Sequence, residues 1–444
     1  MEKSIFKAYD IRGIYPDQLN EDDARLIGRS IAVHLKSEKI ILGRDGRPSG
    51  ISLLYALKNG IKDMGIDVID IGMITTPMIS FAAGRYKFPG VIVTASHNPR
   101  AYNGFKIIDK DVLPVGLDFG LDLIRDFALT NPQPTNKVGK EEKRKIYKEY
   151  IQFLLDKMKS GQRLRCCIDT FNGSTPVILK DLLPQLGIDF KTLNFNIDGT
   201  YPKHAPNPLD FRNLNEVSEC VKNTGADFGV VFDGDGDRCV FVDERGKPIP
   251  PDLITGLIAR EIGVENEYVL CDVRTSKGVW EEILRLGGKP ERVRVGHAYA
   301  RRKLKELDGI LGGELAGHYY FREMYYADSG ILALIHILNF IRKYPGLLSK
   351  LVLPLMKYSN TGEINYKIQN KDEVIEKVRR HFANGKISTL DGLTIEDKDW
   401  WFNLRKSNTE PYLRLIVEAK DNRLLEAKRK EVETIIRKFG KSEL

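Results

Sequence analysis

The sequence predicts an α/β protein, with three related α/β domains around a central cleft and a C-terminal α+β domain. Three observations carry that expectation. Short β-branched runs alternate with longer amphipathic stretches, as strands joined by helices do. The alternation recurs three times, and each round ends in a polar, chemically loaded loop. Beyond residue 359 two amphipathic stretches enclose two strand-like runs instead. A chain of 444 residues suits three or four domains at about 150 residues each.

The first round has strand Ile40-Ile41-Leu42, the polar loop Gly43-Arg44-Asp45-Gly46-Arg47-Pro48-Ser49, strand Asp67–Ile71, and strand Val91-Ile92-Val93 running into Thr94-Ala95-Ser96-His97-Asn98-Pro99. The second has Cys166-Cys167-Ile168, Phe190–Leu193 and Phe228–Phe232, the last running into Asp233-Gly234-Asp235-Gly236-Asp237-Arg238. The third has Val269-Leu270-Cys271, a strand-like run Arg292–His297, and Gly309-Ile310-Leu311 running into Gly312-Gly313-Glu314-Leu315-Ala316-Gly317-His318. The tail has helices over 371–382 and 423–439 and strands over 400–404 and 412–417. Ligands gather at the carboxyl ends of strands in open α/β sheets, so three such loops are expected to line one cleft. Polar, proline-bearing or glycine-bearing stretches near 130–136, 247–251 and 359–362 set expected domains of 1–145, 146–250, 251–358 and 359–444.

Composition excludes some classes. No run of about 20 apolar residues predicts a transmembrane helix, and the N-terminus lacks a signal peptide's apolar core, so a cytoplasmic protein is expected. The net charge of +8 suits anionic partners, yet the basic residues are scattered. The clusters at 140–145 and 428–430 are read as solvated helix faces, which favours a small phosphorylated metabolite over nucleic acid. The five cysteines are odd in number and lack metal-type spacing, so buried reduced thiols are expected. Cys166 and Cys167 point to opposite faces of a strand and are not expected to bond to each other.

Three carboxylates at alternate positions, separated by glycines, suit a hard cation such as magnesium, which takes about six oxygen ligands. The alternative is an EF-hand calcium loop, whose twelfth position here is Glu244. It fits poorly, because its sixth position is Arg238 rather than glycine and its flanks are strand-like; a polar hairpin turn is the more ordinary alternative, but it would leave three carboxylates repelling one another. Ser96 is a weak nucleophile without a base or charge stabilisation. His97 is adjacent, but on a strand-like backbone the two side chains should diverge. The G-x-S-x-G elbow of a Ser-His-Asp hydrolase is missing around Ser96. Glu314 and His318 suit sugar hydroxyls or a buried structural pair alike. Arg405-Lys406-Ser407-Asn408-Thr409-Glu410-Pro411 offers an arginine fork, hydroxyls and an amide to an oxyanion, or is a plain turn.

These four runs, in this order, resemble the α-D-phosphohexomutase family, most closely its phosphomannomutase/phosphoglucomutase branch. Ala8-Tyr9-Asp10-Ile11-Arg12-Gly13 and Tyr102-Asn103-Gly104-Phe105-Lys106 match as well. The resemblance spans essentially the whole chain. It implies four domains and an active-site Ser96 that carries a phosphate. It implies one Mg2+ per chain on Asp233, Asp235, Asp237 and a phosphoryl oxygen of Ser96. Arg12, His97, Lys106 and Arg238 would be catalytic, with His97 and Lys106 the candidates for general base. Tyr9, Arg274, His297, Glu314, His318, Arg405, Ser407, Asn408 and Thr409 would bind substrate. Ala316 stands where the family's sugar loop usually has serine, and Arg274 where relatives often have lysine.

The activity so implied is interconversion of hexose 1-phosphate and hexose 6-phosphate, of mannose or glucose, through a hexose 1,6-bisphosphate intermediate that also serves as activator. Asn408 and Thr94 favour this branch over phosphoglucosamine mutase. A non-catalytic phosphosugar-binding protein is the alternative of a different class. A small phosphosugar is the expected partner, with no nucleic acid and no membrane. Oligomeric state is not legible in the sequence.

Overall fold

The computed structural model describes residues 1–407 and 411–443. Four sheets organise the chain, of six, five, five and seven strands among the described residues. The first three share one plan. In the first, Lys39–Arg44 lies between Gly90–Val93 and Asp67–Met73, both parallel to it. In the second, Leu164–Asp169 lies likewise between Phe228–Phe232 and Ile188–Leu193. In the third, Tyr268–Asp272 lies between Leu311–Gly313 and Lys289–Val293. Each time a fourth strand returns antiparallel to the third: Tyr102–Ile108, Cys239–Val242 and Tyr319–Phe321. The connection from third to fourth strand is therefore the same topological position in each sheet. It holds Ser96 in the first, the three aspartates in the second, and Glu314 with His318 in the third.

The tail forms an antiparallel sheet in which Trp400–Lys406 pairs with Tyr412–Ala419, backed by helices Lys371–His381 and Asn422–Ile436. It has its own core, including Tyr366, Phe402, Leu415 and Val432. The α+β expectation holds there. The largest core runs through the second and third sheets, with helix Gly330–Lys343 buried along most of its length. No single described helix is long and apolar enough to cross a membrane.

Three expectations need correction. Glu141–Lys143 is not on a helix: it is an edge strand parallel to Asp67–Met73, and its charged residues suit a solvent-facing edge. The run 292–297 is not one strand: Lys289–Val293 ends before Gly296, whose φ of 128° breaks extension, and His297 opens a helix to Glu306. The cysteines are not all reduced thiols. Cys167 and Cys220 form a disulfide across 53 residues. Strand alternation explains the choice: Cys167 faces helix Asn215–Thr224, which carries Cys220, while Cys166 faces the large core on the other side. Cysteine usage therefore no longer argues for a reducing compartment. Cys166, Cys239 and Cys271 are free and buried, and burial pushes the thiols of Cys166 and Cys271 up to about 12.

A buried ion cluster pins helix Gly330–Lys343 to its surroundings. His336 Nδ1 lies 2.7 Å from Glu261 and Nε2 lies 3.0 Å from Glu323. Lys159 and Lys157 pair with these two glutamates from the opposite side. Burial opposes a charge on His336, but both glutamates outweigh it and raise its pKa above 6.5. Burial likewise opposes Glu323, yet His336 and Lys157 lower it to about 2. The histidine's contribution is full below its unfolded pKa and is lost as pH rises through the folded one. The glutamate's is full above its unfolded pKa of 4.5 and is lost as pH falls toward about 2. The Tm gap between wild type and His336→Gln should therefore be widest at about pH 5.5 and narrow on both sides. A gap independent of pH, measured by thermal unfolding, would contradict this account.

Candidate active site

The three equivalent loops meet. Ser96 Oγ donates to Asp233 Oδ2 at 2.9 Å, joining the first and second sheets' loops. Ser96 adopts φ = 49°, the left-handed region that non-glycine residues avoid. This breaks strand alternation, and His97 does not diverge as expected: its Nδ1 lies 3.3 Å from Ser96 Oγ. Burial holds the His97 pKa well below 6.5, helped by the charges of Arg238, Arg12 and Lys106, so the imidazole is neutral. Gly234 is required by close approach, since a Cβ there would lie 2.5 Å from the Ser96 carbonyl oxygen. Gly236 has φ = 74°, the turn that folds the acidic loop back on itself.

Asp233, Asp235 and Asp237 are buried, and each offers an oxygen within 4.8 Å of the others'. Lys106 Nζ bridges two of them, at 2.7 Å from Asp235 and 2.5 Å from Asp237. Thr76 Oγ1 donates to Asp235 at 2.5 Å. Arg238 Nε stands 3.9 Å from Asp233 and 4.0 Å from Asp237. Burial and the two neighbouring carboxylates raise the Asp233 pKa well above 3.8. Asp237 goes the other way: burial opposes its charge, but Lys106, His318 and Arg238 hold it low. Burial also opposes the Lys106 charge, and the aspartates overcome it and raise its pKa. One oxygen each of Asp235 and Asp237 is buried with no hydrogen-bond partner. Buried acceptors of this kind need a donor or a cation. An all-oxygen set with two unpaired members suits a hard divalent ion, so the trio fits a metal.

Arg12 reaches the same place. Its Nη1 donates to Asn98 Oδ1 at 2.5 Å, and its other arm pairs with Asp10. From the third sheet, Glu314 and His318 form a buried pair with Nδ1 2.8 Å from Oε2. Burial opposes the Glu314 charge, but His318 and Arg274 lower it to about 2. Burial and Arg238 oppose a charge on His318, yet its bonds to Asp237 and Glu314 raise it to about 9. Arg238 Nε lies 3.0 Å from His318 Nε2, so a proton there competes with the arginine for one lone pair. Tyr9 and His297 pack edge to face, 5.4 Å between ring centroids, and His297 lies 6.2 Å from the His318 ring. With Lys106 and Asp237 they line a small cavity of about 10 Å³. Asp328 and Arg301, two residues that no sequence motif signalled, also line it.

The tail supplies an arginine cluster. Glu363 accepts from Arg405 Nη2 at 2.7 Å and from Arg274 Nη1 at 3.1 Å, and Arg414 stands 3.8 Å away. Burial opposes the Glu363 charge, and the three guanidiniums hold its pKa at about 2. Arg274 and Arg405 are thus brought together from different sheets. Ser407 continues the strand register through its N–H to Tyr412. Asn408 and Thr409 lie outside the described residues. Sequence reasoning missed Glu363, which follows a glycine in an ordinary boundary segment and carries no motif. It also gave no role to Asp45 and Arg47, though it marked their loop as polar.

Residues 3–131, 148–246 and 250–358 match, in turn, the phosphoglucomutase/phosphomannomutase alpha/beta/alpha domains I, II and III, and residues 363–435 match that family's C-terminal domain. A phosphomannomutase of Methanocaldococcus jannaschii is 37% identical over 445 residues, covering 99% of this chain and 98% of that protein. Phosphohexose mutases of Xanthomonas campestris are 36% identical over 448 residues, covering 98% of this chain and 100% of theirs. The crystal structure of a phosphoglucomutase/phosphomannomutase family protein from Burkholderia thailandensis superimposes with a TM-score of 0.91 at 30% identity, over 98% of each chain. With every family domain matched in order, the chain belongs to the phosphoglucomutase/phosphomannomutase family.

Proposed function

We propose that this chain is an isomerase that interconverts hexose 1-phosphates and hexose 6-phosphates, of mannose or glucose, through phospho-Ser96 and a hexose 1,6-bisphosphate. The observation that carries the reading is the 2.9 Å contact between the Ser96 hydroxyl and the buried acidic trio. The names of the relatives support the sugar class. In the forward half, the substrate's free hydroxyl oxygen bonds to phosphorus as the bond from Ser96 Oγ to phosphorus breaks. The bisphosphate turns within the cleft, and Ser96 Oγ then attacks its other phosphorus. Neutral His97, 3.3 Å from Oγ, would take the attacking hydroxyl's proton and give it to the departing oxygen in each half: from substrate to Ser96 in the first, from Ser96 to the sugar oxygen in the second. Lys106, held charged by Asp235 and Asp237, suits charge stabilisation better than base chemistry.

Arg12 and Arg238 would add positive charge around the transferring group, whose transition state spreads charge over three oxygens. Asp233, Asp235 and Asp237, with a phosphoryl oxygen on Ser96, would hold a magnesium ion, which neutralises that charge as a Lewis acid. Glu314 and His318 would read sugar hydroxyls, beside Tyr9 and His297. Arg405, Ser407, Asn408 and Thr409, with Arg274 opposite, would grip the phosphate that is not reacting. The domain limits 1–145, 146–250, 251–358 and 359–444 are proposed on the same reading.

A coupled assay with mannose 1-phosphate, glucose 1-phosphate and glucosamine 1-phosphate should give turnover with at least one of the first two; turnover of the third alone would reassign the branch. Ser96→Ala should lower kcat at least about 10³-fold while calorimetry still detects substrate binding. Full activity in that variant refutes the carrier role. Magnesium added to chelator-stripped protein should raise Tm by a few degrees, and Asp235→Asn with Asp237→Asn should abolish the shift. A shift that survives both substitutions would place the metal elsewhere.

A further inference from the structure

The loop Gly43–Ser49 has no part in the chemistry above, yet it contains the most heavily bonded buried cation beside Ser96. Arg47 is fully buried. Its Nη1 donates to the carbonyls of Pro99 and Tyr102, each at 2.8 Å. Its Nη2 donates to the carbonyls of Ser96 at 3.0 Å and Asn98 at 2.6 Å. Four carbonyls of one loop thus converge on one planar fork. A guanidinium has the donors and the rigidity for this, and an ammonium does not.

Asp45 holds the other side. Its carboxylate lies 3.3 Å from Arg47 Nε and accepts from Thr94 Oγ1 at 2.7 Å. The Thr94 oxygen in turn accepts from the Ser96 N–H at 2.9 Å. The backbone of Ser96 is therefore gripped at both ends, its N–H through Thr94 and Asp45, its carbonyl through Arg47. A left-handed serine persists only where its surroundings over-determine it. These contacts are what hold φ at 49° and aim Oγ at Asp233.

The same arginine meets the second sheet's domain. Its guanidinium lies 4.8 Å from the Tyr201 ring centroid, and a Cβ at Gly199 would come within 2.4 Å of the Arg47 Cα. The segment that leads toward the acidic loop is thus seated on the clamp that aims the serine.

We propose that Asp45 and Arg47, acting through Thr94 and the loop carbonyls, are positioning residues that fix the Ser96 hydroxyl for phosphoryl transfer. The proposal rests on the reading of Ser96 as the phosphate carrier. None of the three touches the reacting atoms, though Thr94 Oγ1 also stands 3.4 Å from Asp235 Oδ2, so their loss should appear in the chemical step and not in substrate affinity.

The test uses the full chain with Arg47→Lys, Thr94→Val and the double variant. Steady-state kinetics with mannose 1-phosphate and glucose 1-phosphate gives kcat and KM, and intact mass after a pulse of glucose 1,6-bisphosphate gives the rate of Ser96 phosphorylation. Each single variant should lose roughly 10²-fold in kcat and in phosphorylation rate, the effect of a misplacement of about 1 Å, with KM near wild type. The double variant should match the worse single one, because both act on one backbone segment. If Arg47→Lys does not fold, Thr94→Val, which removes one hydroxyl without changing shape, carries the test. Wild-type kcat in a folded variant, a loss confined to KM, or multiplicative losses in the double variant would overturn the clamp. A wild-type protein that neither turns over these sugars nor takes phosphate on Ser96 would instead overturn the reading beneath it.

Discussion

Three carboxylates buried within 4.8 Å of one another set the terms for everything around them. Such a group cannot stay ionised in a low-dielectric interior without cations, because mutual repulsion and lost hydration both favour protonation. The molecule answers with Lys106 from the first sheet, Arg238 at the end of the loop itself, and His318 from the third. Each sheet therefore contributes a group whose position is dictated by the same acidic trio. Even so, one oxygen each of Asp235 and Asp237 keeps no hydrogen-bond partner. Unbonded buried acceptors fit a metal site better than a saturated structural ion cluster. The cluster around His336 shows the contrast, where two glutamates each face both a lysine and the imidazole.

Convergence follows from topology. A parallel strand followed by an antiparallel return produces a tight connection at the carboxyl end of the parallel strand, where ligands of open α/β sheets collect. The chain makes that connection three times in identical strand order and places a different chemistry on each: a hydroxyl, a set of carboxylates, and a carboxylate–imidazole pair. Close backbone approach then locks the first two together. Thr76 N–H donates to the Asp235 carbonyl at 2.9 Å, and Gly234 lies against the Ser96 carbonyl. Packing at this distance leaves no room for a side chain at Gly234, while Gly236 is required by its positive φ.

What the sequence made legible is what is contiguous. The Ser96 loop, the aspartate loop and the Glu314–His318 loop each sit within a few residues and end a β-branched run, so both their chemistry and their place in the sheet could be read. The threefold plan was legible for the same reason. What stayed hidden depends on partners far apart. Arg47 acts on carbonyls 49 to 55 residues away, which any sequence would supply. Glu363 gains meaning only from Arg274 and Arg405, which lie 89 and 42 residues distant. Cys167 and Cys220 pair across a strand and a helix, with none of the short spacing that marks a cysteine motif. The left-handed backbone of Ser96 was hidden too, since serine gives no hint of positive φ, and with it the approach of His97.

Glu363 also shows how a molecule of modest net charge can gather buried arginines at one point. The +8 of the whole chain is spread over its surface, and the arginines that matter are buried: Arg274 and Arg405 are 3% and 2% exposed. Burying two guanidiniums side by side is costly unless a carboxylate lies between them, and Glu363 lies there, bonded to both. A carboxylate and a phosphate present similar oxygen pairs to an arginine fork. The glutamate therefore keeps the forks of the third sheet and of the tail turned toward one point. On the proposed reading, a substrate phosphate would meet donors gathered by an anion of its own kind. The same contact helps to tie the tail to the third sheet, beside the bonds from Lys277 N–H to Glu418 and from Val295 N–H to Asp391.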